Sequence, residues 1–506
     1  MAVTWNYENA AHLLRRAAFG GTPAEVQAFL DRHGSVASAV GELLSFPPSR
    51  RKPPGPRSVD DYHRLKMQRW WLKRMIRATV PADACREKLV LFLHNHLVSG
   101  SSKQPTLKYM AIQNQTFRYN ARGNFKALVR EFNRDAANLY YLDGIVNVAS
   151  NDGVHVNANE NFGRELMELF TLGVFQLASD GTADPTKPNY TEADVHNLAR
   201  ACTGWTEIVQ NKGVWHDYDW DGGQYDDDGD DLPDPMVIFG QVSNNFRIDE
   251  EVAGTSDDVL ELIFSRTDDQ GNNQVGMHVA KKLWSWYAYP PPAPGLKSLL
   301  AGFAATFAAA DFELTPLLEA MWTHDEFYST AAKTRAVKNP CDYVVQAFHA
   351  FGIARGTATY FGPAARELGD QVALMGMNLF EPPNVAGWPG GLTWINTGTL
   401  LARLEFAKDL GASDYGPNKL ALAGITGLPM GDPTADPGVV VDAILAQLGL
   451  DQGPLALTSA QRDLLLDYAT TDGPTLDLSD EFTDDANKKV RGLISLALQA
   501  AEYQIF

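Results

Sequence analysis

Apolar side chains recur three and four residues apart along most of this chain, whereas strict alternation, the mark of a half-buried strand, is scarce. That spacing restricts the fold to packed helices joined by irregular loops. Between 59 and 97 the pattern runs through Leu65, Trp70, Leu72, Met75 and Ile76, then Leu89, Leu93 and Leu97. Further helical stretches are expected at 159–172, 191–205, 257–264, 275–287 and 296–327. Near the start, Thr22 precedes Pro23 and Glu25, which predicts a capped helix opening on proline. The predicted class is therefore all-α: one large helical domain with long irregular loops and an inserted acidic loop of calcium-binding type.

Composition narrows the partners. Lys and Arg number 43 against 62 Asp and Glu, a net charge of −19, which repels phosphate backbones and argues against nucleic acid. Cys85, Cys202 and Cys341 are odd in number and far apart, so neither a disulfide framework nor a CxxC metal pair underlies the fold. No apolar run reaches the roughly 18 residues that a membrane span needs. The first nine residues lack the basic and apolar regions of a signal peptide.

The chain resembles the bacterial family called domain of unknown function 1800. The likeness is carried by His12-Leu-Leu-Arg-Arg-Ala-Ala-Phe-Gly20, Leu93-His-Asn-His96 and Asn159-Glu-Asn-Phe-Gly-Arg-Glu-Leu-Met-Glu-Leu-Phe-Thr-Leu-Gly173. Tyr190 to Asp194, Thr203-Gly-Trp205, His216-Asp217, His278 to Trp284, and Phe380 to Gly390 with Trp394-Ile-Asn396 complete it. The resemblance implies a helical family domain over 1–410 with an acidic insert at 211–236, and a C-terminal helical extension, 411–506, packed on the same unit. It also implies a partner, a sulfatase/phosphatase-like protein of the domain of unknown function 1501 family that carries an export signal. The location is left open between cytoplasmic and extracytoplasmic, and that partner favours the second. Phe170 stands where many relatives carry histidine, which weakens any metal site relying on that position.

Five segments offer chemistry. On the helix from Asn159, Glu165 lies between Phe162 and Leu169 and points to the buried side, with Glu168 on the same flank. Such a pair suits acid–base work or a divalent cation; alternatively, Arg164 and Glu168 pair on the surface and a core arginine such as Arg200 neutralises Glu165. Asp194, three after Thr191, is either part of a helix cap or a second carboxylate of the site. His94 and His96 cannot share one metal from a helix. His96, on the apolar face, is either a buried histidine bonded to backbone or a catalytic partner of Glu165.

The acidic insert places Asp217, Asp219 and Asp221 at alternate positions before Gly222, with Asp228 in the twelfth place, as in a calcium loop. Asp226 to Asp234, including Asp230 and Asp234, resembles a thrombospondin type 3 calcium repeat. Calcium is the expected cofactor, with a solvated acidic loop as the alternative. The last segment, 381–396, holds Trp388 and Trp394 among prolines and glycines, with Asn396 nearby. It is expected to run over the surface and form one wall of a ligand groove, the alternative being a core plug. Trp284 and Trp286 are expected to be core. There is no GxGxxG after a strand, P-loop, GxSxG or HExxH.

Two functions fit these residues. One is a hydrolase of an extracytoplasmic glycan or other polymer, using Glu165, His96 and Asp194 for acid–base chemistry and Trp388, Trp394 and Asn396 for substrate. The other is a non-catalytic, calcium-binding scaffold or export partner.

Overall fold

Capping chemistry sets the helix starts. The Glu25 backbone N–H donates to Thr22 Oγ1 at 3.2 Å while Glu25 Oε2 accepts from the Thr22 N–H at 2.8 Å, and the helix Pro23–Arg32 opens on its proline as expected. The computed structural model describes residues 3–48, 63–147, 158–208, 213–216, 235–243, 246–247, 257–353, 360–361, 366–413 and 420–506. Among them are 22 α-helices and only five two-stranded β pairings, so the molecule is mostly helical.

Several long helical stretches are interrupted. The 59–97 stretch becomes Arg64–Ile76 and Pro81–His96, because Pro81 cannot continue a helix but can begin one. The 296–327 stretch divides into Leu296–Ala309 and Leu314–Thr323 around Asp311 and Phe312, both at positive φ. The 191–205 stretch ends at Ala201, and Trp205–Ile208 pairs with Gly213–His216 as antiparallel strands. The helix Glu160–Glu165 passes into a π-helical turn, Leu166–Thr171, in which Thr171 Oγ1 donates to the Leu166 carbonyl five residues back at 2.6 Å.

One apolar core links the helices, and the C-terminal residues belong to it. The helix Arg491–Gln499 packs on Thr397–Gly411 so closely that a Cβ on Gly411 would lie 2.6 Å from the Arg491 carbonyl oxygen. Tyr343 donates from its hydroxyl toward the Leu498 carbonyl at 3.1 Å. Cys85, Cys202 and Cys341 are free and buried, and burial pushes all three thiols up. Among the described residues no helix is long and apolar enough to cross a membrane.

Candidate functional site

The last turn of the helix Pro81–His96 organises the site, and His94, Asn95 and His96 each hold a different piece of backbone. His94 Nε2 accepts from the Phe380 N–H at 3.2 Å. Asn95 Oδ1 accepts from the Trp388 N–H at 2.7 Å. His96 Nε2 donates to the Phe170 carbonyl at 3.1 Å. The first two anchors draw the segment 381–396 inward. Gly387, at φ +79°, permits the approach: a Cβ there would sit 2.5 Å from both the carbonyl and the side-chain oxygen of Asn95.

The two indoles are consequently buried, at 4% and 5% exposure for Trp388 and Trp394, and not on the surface. The segment itself runs over the surface as expected, with Pro383, Asn384, Pro389 and Leu392 exposed, while its two rings turn inward beside the backbone that His94 and Asn95 hold. A cavity of about 130 Å³ nevertheless lies beside both rings. Phe92, His96, Trp286 and Phe506 also line it, and Trp286 meets Phe92 edge-on at 6.0 Å. Asn396 lies outside that lining and caps the helix Thr397–Gly411, its Oδ1 accepting from the Thr399 N–H at 3.0 Å.

The π-helical turn meets the same region. Its Leu169 carbonyl accepts from His278 Nε2 at 2.9 Å and its Phe170 carbonyl from His96, with the two imidazoles 5.8 Å apart. Burial holds both rings far below the usual histidine range, His278 at about 3, so both are neutral. With the Nε2 proton given to a carbonyl, His96 Nδ1 carries a lone pair, and no described residue bonds to it. Phe170 packs edge-on against Phe132 at 5.2 Å. No group of three metal-binding side chains occurs among the described residues.

Glu165 does not line the cavity. It is half-buried, and burial reinforced by Glu168 pushes its carboxyl up to about 7. No ion pair or hydrogen bond engages it among the described residues. Glu168 takes the Tyr190 hydroxyl and lies 3.6 Å from Arg164, the surface pair that their spacing allows. Asp194 is committed to capping: Oδ2 accepts from the Thr191 N–H at 2.8 Å, and Oδ1 accepts from the Phe239 N–H at 2.6 Å. Glu381, which no sequence pattern had singled out, faces Tyr141 together with Glu165. Burial, then Glu381 and Glu165, push the Tyr141 hydroxyl up to about 12. Glu381 also accepts from Ser101 Oγ and lies 3.7 Å from Arg64.

Lys282, to which no sequence pattern assigned a role, and Trp286, which was expected in the core, both line the cavity. They lie on the helix Gln274–Tyr287, where Trp284 is core as expected but Trp286 is not. Asp217, Asp219, Asp221, Asp228, Asp230 and Asp234 lie outside the described residues. The family described as "Protein of unknown function (DUF1800)" matches residues 12–505, taking in the C-terminal helices. No curated protein and no solved structure matches the chain.

Proposed function

Because the chain belongs to the DUF1800 family, whose description names no reaction, we propose from the site itself that it is a hydrolase of an extracytoplasmic glycan or related polymer. The observation that carries this reading is the meeting of Trp388, Trp394 and His96 at one cavity. Indole faces suit the apolar face of a sugar ring, and a cavity of about 130 Å³ opens beside them. Glu165 supplies the proton transfer, since a carboxyl near 7 exchanges its proton readily at neutral pH. Glu381, which shares Tyr141 with it, is the second carboxylate that glycoside hydrolysis calls for. His96 holds the turn that follows Glu165 and offers its Nδ1 lone pair as an acceptor. Calcium bound by the aspartates of the insert would order that loop, and a sulfatase/phosphatase-like protein of the DUF1501 family would be the partner.

A second reading, a non-catalytic calcium-binding scaffold, is favoured by one observation: Glu165 is not part of the cavity lining. A screen of the purified chain against soluble glycans, with and without calcium, separates the two. New reducing ends from the wild type, lost in Glu165→Gln and Glu381→Gln, are expected of the hydrolase. Saturable binding with no cleavage in any condition would leave the scaffold.

A further inference from the structure

We infer that the cavity beneath Trp388 and Trp394 is a subsite for an acidic sugar, a uronate ring whose carboxylate is taken by Lys282, an inference that rests on the glycan reading above. Lys282 is the reason. It lines the cavity, yet among the described residues it has neither an ion pair nor a hydrogen bond. Burial and the neighbouring Lys281 lower its pKa, and its charge in turn depresses His96 and His278. Cations nearby are engaged: Lys88 pairs with Asp342 at 2.8 Å, Arg16 donates to the Tyr287 and Ala288 carbonyls, and Lys338 lies over the Tyr503 ring at 3.7 Å. Lys282 is half-buried, and an anion entering the cavity gains a charge-assisted partner there without displacing one.

In the rest of the lining His96 Nδ1 is a free acceptor, and two donors stand with it. Asn95 has spent its carbonyl oxygen on the Trp388 N–H, which leaves the NH₂ as its free end. The Trp286 indole N–H is buried with no partner among the described residues. Asp342 is the one described carboxylate in the lining, and Lys88 and the Asn339 amide already occupy it. Free donors beside an unpaired cation fit the two oxygens of a carboxylate better than a sugar carrying hydroxyls alone. A positive pocket is also against the trend of a chain with net charge −19. The aromatic walls match the face of a ring.

The test is calorimetric titration of the full chain with three ligands: a uronate oligosaccharide, the same oligosaccharide with its carboxylates reduced to hydroxymethyl groups, and a sulfated form of the reduced one. Uronate should bind at least about tenfold tighter than its reduced counterpart. Lys282→Met should erase that difference and Lys282→Arg keep most of it. The melting temperature of Lys282→Met should be unchanged, because Lys282 makes no ion pair or hydrogen bond to a described residue. Equal binding of the acidic and reduced forms, unaffected by Lys282→Met, would overturn the inference and leave the glycan reading standing. Lys282-dependent binding of the sulfated form alone would overturn uronate in favour of a sulfate ester. Binding of none of the three would overturn both.

Discussion

Glu165 carries a charge question that pH can answer. Its carboxyl is pushed up to about 7, whereas in the unfolded chain it titrates near 4.5. The unfolded state therefore ionises first, and Glu165 withdraws stability as pH rises through that interval; it contributes nothing below it. Glu165→Gln should flatten the pH dependence of urea unfolding between those values and leave the midpoint at about pH 8 no lower than wild type. A fall there by the roughly 3–5 kcal/mol of a broken buried ion pair would mean that Glu165 has a cationic partner. The buried histidines work in the opposite sense. His94 and His278 titrate at about 3 when folded and 6.5 when unfolded, so each withdraws stability as pH falls from 6.5 toward 3. Their ring resonances should stay fixed down to about pH 5, and a shift above that would show that burial is incomplete. At this scale the sequence was partly legible. The Thr191 cap and the placing of His96 on an apolar face followed from spacing alone. Lys282 and Trp286 did not, because periodicity tells which face is covered and not what stands across from it.

Among the elements, the helices Arg64–Ile76, Pro81–His96 and Lys108–Asn120 are joined through one carboxylate. Glu87 accepts from Arg118 at 2.9 and 2.8 Å, from Arg74 at 2.6 Å and from the Trp71 indole at 3.2 Å. These cations hold its carboxyl below the usual range although burial opposes them. Glu87→Gln strands Arg118 in the interior and should cost about 3–5 kcal/mol in urea unfolding; a loss under about 1 kcal/mol would mean that water reaches the cluster. Gly387 joins the last turn of Pro81–His96 to the aromatic segment. Gly387→Ala meets two oxygens of Asn95 at 2.5 Å and should release Trp388. Red-shifted tryptophan emission and roughly tenfold weaker glycan binding are expected, about 1.4 kcal/mol. Unchanged emission would show that the loop relaxes without moving the ring. The surface course of this segment was legible in its prolines and glycines. The inward turn of its two indoles was not, because it depends on His94 and Asn95 holding the Phe380 and Trp388 N–H groups from across the fold. The π-helical turn was hidden too, since its extra residue leaves no compositional mark.

For the whole molecule, the helical class was written in the apolar spacing, while the packing of late residues on early ones was expected only from the resemblance. Val337 bridges to Ile505, the Arg403 guanidinium donates to Gln504 Oε1 at 3.3 Å, and Phe506 lines the cavity. A chain ended after 410 would bare the face that Arg491–Gln499 covers; it should lose its cooperative transition and come out insoluble. A soluble fragment with a sharp melt would show that the late helices are an accessory. Calcium at a hundredfold excess over its Kd should raise stability by about 2.7 kcal/mol, and no heat of binding at millimolar calcium would remove it as a cofactor. The three thiols give a way to watch such events locally. Cys85 lies in Pro81–His96, Cys202 follows Glu192–Ala201, and Cys341 lies in Pro340–Ala350, all sealed from solvent. A thiol-alkylating reagent can reach each one only when its own surroundings open. Mass-resolved alkylation would therefore record three separate breathing rates in one unlabelled protein. Occupying the cavity should slow capture of Cys85, eleven residues before His96 on the same helix, more than capture of Cys202.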